Sequence, residues 1–304
     1  MKWLRLKEDE SGLFCSNNIG TYQMKKFAII TMDVEDWYHT YFPEANVDRS
    51  ISLLDGLYVA LDIMKKDDIH GSFFVVGEIA DKLADKLREM DKEGHDIAVH
   101  NFQHLRPVTM TPDEFRSQLL EAKQKIEGIL GHGVQGYRAP SFGIDDERLD
   151  IVRECGFKYD SSKLKPQKSA KYGVLNLKDF KETVPCIHQN NGFTEFEVST
   201  EKIGNMNMLL GGGYIRMLPW FFMKRMTKKY LDSGKPYVMY IHPIDLSSKS
   251  MPKVDGSSFD RYLRTHIGRR HIVWRFKKVI EMLKKSGYEF VTFEELLKIY
   301  PTEE

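Results

Sequence analysis

Two apolar rhythms alternate along most of the chain. Short unbroken runs rich in β-branched and aromatic residues occur at Phe27-Ala-Ile-Ile, Ser72-Phe-Phe-Val-Val-Gly77 and Asp96-Ile-Ala-Val-His100, and such runs read as buried strands. Between them the apolar positions return at helical intervals: Ile51, Leu53, Leu54, Leu57, Ala60, Leu61 and Met64, and then a segment from Glu78 to Lys92 closed by Gly94. Strand, helix, strand, helix, strand in that order predicts a parallel α/β sheet or barrel. The same alternation continues downstream. Thr111-Pro112-Asp113-Glu114 has the residues of a capped helix start, with threonine at the cap, proline in the first turn and glutamate closing a capping box. That helix is expected to run to Leu130 and stop at Gly131. Strands are expected at 134–138, 156–160, 194–199, 237–242 and 288–292, the first at 26–33. Helices are expected at 145–155, 219–231, 272–285 and 293–300.

Three stretches break the rhythm. Residues 1–23 are polar without a clear period and read as an N-terminal appendage, Met24 being an alternative start; residues 24–304 then form a single domain. Residues 163–182 are Lys-rich and read as an excursion from the core. Leu209-Leu-Gly-Gly-Gly-Tyr214 reads as a glycine loop, without the Lys-Ser/Thr ending of a phosphate loop. It suits a tight turn or the close approach of backbone to a ligand.

Composition changes this picture little. A chain of 304 residues, 41% hydrophobic and 29% charged, is ordinary for a globular protein and long enough to bury a large core. A net charge of +1 gives no global field towards nucleic acid or anionic membranes. Cys15, Cys155 and Cys186 are odd in number and widely spaced, with neither a disulfide framework nor a zinc spacing. No apolar stretch approaches the length of a membrane span, and the charged N-terminus lacks the apolar core of a signal peptide. The expectation is a cytoplasmic protein.

Candidate chemistry gathers at the ends of the expected strands. The first runs into Asp33-Val-Glu-Asp36, three carboxylates in four residues, beside a core where unpaired carboxylates are costly. Others end at His100, Arg138, Asp160 and His242. A parallel barrel brings its C-terminal strand ends to one face, so these scattered residues would share a cleft. His100 and His104 would lie on one side if their segment turns helically. Two imidazoles with a carboxylate suit a catalytic zinc that keeps a position open for water. Strand alternation puts Asp33 and Glu35 on one face and Asp36 on the other, whereas a turn starting at Glu35 would favour Asp36. Both remain candidate ligands.

Taken together, Asp33-Val-Glu-Asp36, Gly94-His-Asp-Ile-Ala-Val-His-Asn-Phe-Gln-His104, Arg138-Ala-Pro140, Asp160 and Ile241-His242 resemble, in order, the five motifs of the polysaccharide deacetylase family. The resemblance runs from about Lys26 to Leu297. The variant Asp-Val-Glu-Asp-Trp, with Gly-Gly-Gly-Tyr-Ile-Arg and His-Pro-Ile-Asp, is similar to a branch linked to bacterial exopolysaccharide and O-antigen synthesis. The resemblance implies a distorted (β/α)7 barrel. It also implies a metal-dependent hydrolase that removes N-acetyl groups from amino sugars of a surface polysaccharide or its lipid-linked precursor. Zn2+, or another divalent metal such as Co2+, Ni2+ or Fe2+, would be held by His100, His104 and Glu35 or Asp36. Asp33 would be the general base, with Arg138 pairing its charge. His242 would be the general acid, with Asp160 raising its basicity. Trp37, His39, Pro140, Gly213 and Tyr214 are the expected substrate-binding positions, with Tyr38 and Trp220 as further aromatic faces. Two alternatives are an amidohydrolase acting on a small cyclic amide and a non-catalytic carbohydrate-binding protein on the same fold. The intact carboxylates and both histidines argue against the second alternative.

Overall fold

Strand Lys26–Val34 is buried along almost its whole length, from Phe27 onwards. A strand without a polar face needs cover on both sides, which fits the centre of an α/β sheet. The computed structural model describes residues 14–16, 22–42, 47–165, 173–204 and 206–302. Residues 1–13 and 17–21 of the expected N-terminal appendage, and 166–172 of the Lys-rich stretch, lie outside the described residues.

In chain order the elements are β1 (Phe14–Ser16), β2 (Tyr22–Met24), β3 (Lys26–Val34), α1 (Trp37–Tyr41), α2 (Asp55–Lys66), β4 (Ser72–Val75), α3 (Gly77–Ala80), α4 (Ala84–Lys92), β5 (Asp96–Val99) and α5 (Pro112–Leu130). Then come β6 (Gly136–Tyr137), α6 (Asp146–Glu154), β7 (Tyr159–Asp160), β8 (Lys181–Val184), β9 (Ile187–Asn190), β10 (Phe193–Phe196), β11 (Thr200–Ile203) and β12 (Met206–Leu209). The chain closes with α7 (Gly212–Met217), α8 (Trp220–Asp232), β13 (Tyr237–Ile241), α9 (Pro243–Leu246), α10 (Phe259–His266), α11 (Ile272–Lys285), β14 (Tyr288–Phe290) and α12 (Phe293–Ile299).

The main sheet has the order β13-β3-β4-β5-β6-β7-β10-β9-β8, with β14 joined to β3. Pairing is parallel from β13 to β10 and antiparallel in the β8–β9–β10 meander. The sheet curls into an open half-barrel wrapped by helices, an α/β fold of the distorted (β/α) barrel type. Two apolar layers define its faces. Ala28, Ile30, Met32 and Val34 pack outward with the helices, while Phe27, Ile29, Phe74, Ala98, Tyr159, Val238 and Tyr240 fill the inside. Because side chains alternate along a strand, the inner series of β3 continues through Thr31 to Asp33, that of β5 reaches His100, and that of β13 reaches His242.

The helix signals resolve as expected. Thr111 caps α5 in a full capping box, and Gly131 ends it in the left-handed conformation at φ 83°. Asp145 caps α6 through the Arg148 amide. The apolar pattern did not announce the hairpins β8–β9 and β11–β12 or helix α10. The glycine loop makes a close backbone approach to β13. A Cβ on Gly212 would lie 2.5 Å from the Tyr240 ring, so the glycines let the start of α7 close on β13.

Candidate active site

Five elements deliver the site. At the end of β3, Asp33 and Glu35 are both buried. Asp33 Oδ1 accepts from Arg138 Nη1 at 2.7 Å, and the same nitrogen donates to Thr31 Oγ1. The guanidinium also donates from Nε to the Ser161 carbonyl and from Nη2 to Ser161 Oγ, and it lies 4.0 Å above the Phe74 ring. A fully buried arginine with this many partners fixes one carboxylate oxygen and leaves Asp33 Oδ2 facing the cleft, 3.8 Å from His242 Nε2.

His100 ends β5, and its Nδ1 lies 2.8 Å from the Arg138 carbonyl. That acceptor requires the proton on Nδ1, so Nε2 presents a lone pair. Nε2 is buried without a hydrogen-bond partner, and so is Glu35 Oε2. Glu35 Oε2 lies 2.6 Å from His104 Nε2 and 4.0 Å from His100 Nε2. The ligand atoms of Glu35, His100 and His104 fall within 4.8 Å of one another. Two buried ligand atoms without hydrogen bonds, converging with the His104 imidazole, are costly unless a cation satisfies them, so these residues fit a divalent metal. Glu35 Oε1 accepts from Thr40 Oγ1, which orients the carboxylate.

The other candidate ligand is used elsewhere. Asp36 is the N-cap of α1, and its Oδ1 accepts from the Trp37 and Leu53 amides at 2.9 Å each. The histidine pair also differs from expectation, because residues 100–104 are not helical. Asn101 takes φ 62°, and the chain doubles back through it so that the two rings meet at 5.2 Å. The loop is anchored on α3, where the Gly77 and Glu78 amides donate to the Asn101 and Phe102 carbonyls.

His242 faces the same space from β13. Its Nε2 is 3.5 Å from Glu35 Oε1, and its Nδ1 is 3.1 Å from Asp245 Oδ2. Asp160 is not its partner, which corrects the expectation. Tyr159 belongs to the inner layer, so Asp160 points to the opposite, outer face. There it accepts from the Ser162 amide and hydroxyl and lies against Glu195. Burial raises both of these carboxyls. Asp245 takes the role instead and is held in turn by Arg216 Nε at 2.9 Å. Burial alone would raise Asp245, but His242 and Arg216 outweigh it and bring it down to about 2. Burial alone would lower His242, but Asp245, Glu35 and Asp33 push it up to about 9. Burial lowers His100 to about 4, which keeps it neutral. Burial would raise Glu35, yet His104, His242 and His100 hold it well below the usual carboxylate range.

The expected substrate contacts divide. Trp37 is 1% exposed, donates to the Ile51 carbonyl and packs edge-on against Tyr38 and Phe42, so it is core and offers no face to a sugar. His39 accepts from the Asp36 amide at Nδ1 and lies 2.5 Å from Glu78 at Nε2. With Tyr38, Arg49, Glu78 and His104 it lines an open cleft beside the three-ligand cluster. Pro140 is buried and begins a turn in which Ser141 and Phe142 have φ of 53° and 57°. Gly213 is half-buried, Tyr214 is exposed, and Trp220 packs on Trp274 at 5.2 Å. The sequence reading missed Asp245 and Arg216 as site residues. Their signal was present, since His242-Pro-Ile-Asp245 has capping-box spacing and the Asp245 carboxylate indeed caps the His242 amide.

Residues 56–159, which contain both histidines and Arg138, match the sequence family described as polysaccharide deacetylase. This segment is similar to the polysaccharide deacetylase family. Residues 161–298 match a second family, described only as a domain of unknown function, DUF3473. The first matched segment lacks Asp33 and Glu35, which precede it, and His242, Asp245 and Arg216, which lie in the second match.

Relatives include a peptidoglycan deacetylase of Helicobacter pylori, 20% identical over 254 residues, covering 79% of this chain and 82% of that protein. The N-acetylmuramic acid deacetylase PdaA of Bacillus subtilis is 28% identical over 125 residues, covering 38% of this chain and 48% of that protein. An uncharacterised 30.6 kDa protein of Geobacillus stearothermophilus is 29% identical over 125 residues, covering 38% and 47%. The alignments to the last two thus span about half the length of each relative. A Mycobacterium smegmatis structure assigned to the polysaccharide deacetylases superposes with a TM-score of 0.59 at 20% identity, covering 94% of this chain and 92% of that one. A family 4 acetyl xylan esterase from Clostridium thermocellum, solved with a cobalt ion, gives 0.50 at 15% identity, covering 91% and 93%. At these identities the likeness is one of fold.

Proposed function

We propose that this protein is a metal-dependent hydrolase that removes N-acetyl groups from amino sugars of a bacterial surface polysaccharide or its lipid-linked precursor. The observation that carries the reading is the convergence of Glu35, His100 and His104, with His100 Nε2 buried and without a hydrogen bond, opposite Asp33 and His242. Glu35, His100 and His104 would hold the metal, and the donor set suits zinc, cobalt, nickel or iron. Bound there, the metal would supply Lewis acidity to an amide carbonyl and to the attacking water. Asp33 Oδ2 takes the proton of that water, while Arg138 holds Oδ1 and so fixes the direction of the free lone pair. His242 Nε2–H donates to the leaving amine nitrogen, and Asp245 holds the opposite ring nitrogen as its acceptor. The orientation separates base and acid across one cleft, as amide hydrolysis requires. The names of the relatives, deacetylases acting on peptidoglycan sugars, favour an N-acetylated glycan over a cyclic amide. The branch features Gly211-Gly-Gly-Tyr-Ile-Arg216 and His242-Pro-Ile-Asp245 favour an exopolysaccharide or O-antigen intermediate. The reading treats residues 24–304 as one catalytic unit, because its site draws on both matched segments.

The test is acetate release from N-acetylglucosamine oligomers. Metal-loaded protein should release acetate, chelated protein should not, and Asp33→Asn should retain metal with most activity lost. A wild-type protein that binds metal yet releases no acetate from any N-acetylated glycan would overturn the reading.

A further inference from the structure

The net charge of +1 conceals a strong internal asymmetry. Residues 202–231 and 261–280 together contain thirteen Lys and Arg and no Asp or Glu. The other 254 residues hold 32 basic against 44 acidic side chains. The fold brings these two cationic segments together. Arg275 Nη1 donates to the carbonyls of Ile215, Arg216 and Leu218, and Arg216 Nη1 donates to the Ile267 carbonyl. Gly268 packs so closely on the Arg216 carbonyl that a Cβ there would lie 1.9 Å away. Trp220 meets Trp274 edge-on.

This one region also carries half of the large exposed apolar side chains among the described residues. Phe221 is 76% exposed and Trp274 47%, and Tyr214, Met217, Tyr262 and Ile267 are exposed as well. Around them stand Lys224, Arg225, Lys228, Arg270 and Lys277, which are exposed and have no acidic partner among the described residues. Lys224 and Arg225 follow Trp220 and Phe221 by four residues, so on α8 each cation sits one turn beyond an aromatic.

We infer that the face formed by α7, α8, the start of α11 and the end of α10 docks on an anionic bilayer, with Phe221 and Trp274 entering the interface and Lys224, Arg225 and Lys228 meeting lipid headgroups. Unpaired cations beside exposed aromatic and aliphatic groups give the two attractions an interfacial surface needs. A nucleic acid would engage the cations but would have no use for the exposed Met217 and Ile267 side chains. The face borders the candidate site, since Arg216 of α7 holds Asp245 and through it His242. Docking there would present the cleft at headgroup level, where the sugar of a lipid-linked substrate lies.

The experiment is co-sedimentation of the full chain with vesicles of phosphatidylcholine alone or with phosphatidylglycerol added. Binding should require the anionic lipid and weaken with salt. Lys224→Gln with Lys228→Gln should lower partitioning by roughly 5-fold per charge, the effect of one basic residue near an anionic leaflet. Phe221→Ser should lower it further while leaving the salt dependence in place. All three substitutions should leave acetate release from soluble oligomers unchanged, which keeps the result separate from the catalytic reading. Failure to bind anionic vesicles, equal binding to neutral ones, or wild-type partitioning by both variants overturns the inference. So does binding to duplex DNA that competes away the vesicles and is insensitive to Phe221→Ser. A dimer that forms through this face in solution and excludes vesicles would overturn it too.

Discussion

At the residue scale, the partner of His242 decides how the site titrates. Asp245 lies 3.1 Å from Nδ1, and Asp160 points to the other side of the sheet. Asp245→Asn should therefore move the alkaline limb of the rate profile to lower pH, and Asp160→Asn should leave that limb in place; a pH series of acetate release distinguishes them. The same ring predicts a stability effect in metal-free protein. His242 is raised from an ordinary 6.5 to about 9 when folded, so protonation favours the folded state. Its contribution is complete below pH 6.5 and is lost as pH rises through 9. Wild type should lose more stability across that window than His242→Gln, as measured by denaturant melts. For the carboxylates, Glu35→Gln should abolish high-affinity metal binding in a titration. Asp36→Ala should keep metal but lower stability by about 0.5–2 kcal/mol, the usual loss of a helix cap. The sequence held enough to place Asp33, Glu35, His100 and His242 by strand parity. The same counting from Tyr159, an aromatic residue that fills the interior, excludes Asp160 from the cleft. Order along the chain says nothing of which face of the sheet a residue takes, and parity from Tyr159 puts Asp160 outside.

At the element scale, helical spacing misled at His100 and His104. Their four-residue separation is bridged by a reversal through Asn101 rather than by a helix. Asparagine tolerates the left-handed region far better than a β-branched residue. Its side-chain amide also donates to the Leu105 carbonyl at 3.2 Å, tying down the loop that carries His104. Asn101→Val should cost about 1–2 kcal/mol from the backbone alone and weaken metal binding by displacing His104. Asn101→Gly should retain metal, because glycine keeps the turn. Calorimetric titration of both variants tests this. Long amphipathic helices were legible, α5 from its pattern and caps and α11 from its pattern alone. Helix α10 was not, because of its eight residues only Thr265 is buried and its pattern carries little core signal. The meander β8–β9–β10 was read only in part, since the outer strand β8 is mostly exposed and lacks an apolar period.

At the scale of the whole molecule, the two matched segments are not separate bodies. β7 ends the first and pairs with β10 of the second, while β13 of the second lies beside β3. The acid half of the proposed chemistry thus lies in the stretch described as a domain of unknown function. The apolar layers do not run through the ligand cluster, so protein stripped of metal by a chelator should keep its circular dichroism spectrum and a single cooperative melt. Restoring metal should raise the midpoint with concentration, as binding to the folded state requires. A chelated protein that loses its fold would show that the cation is structural. The pairing of β3 has one more consequence, for the order of events during synthesis. Its neighbours are β4, close in sequence, and β13 and β14, whose register joins Ala28 to Tyr237 and Lys26 to Tyr288. Contacts of such long sequence separation form slowly. The strand that carries Asp33 and Glu35 leaves the ribosome long before β13, so the edge opposite β4 stays open until residues 237–241 have followed. Competence for metal and substrate is thus reached only once β13 has emerged, and a nascent chain stalled before residue 237 should hold neither.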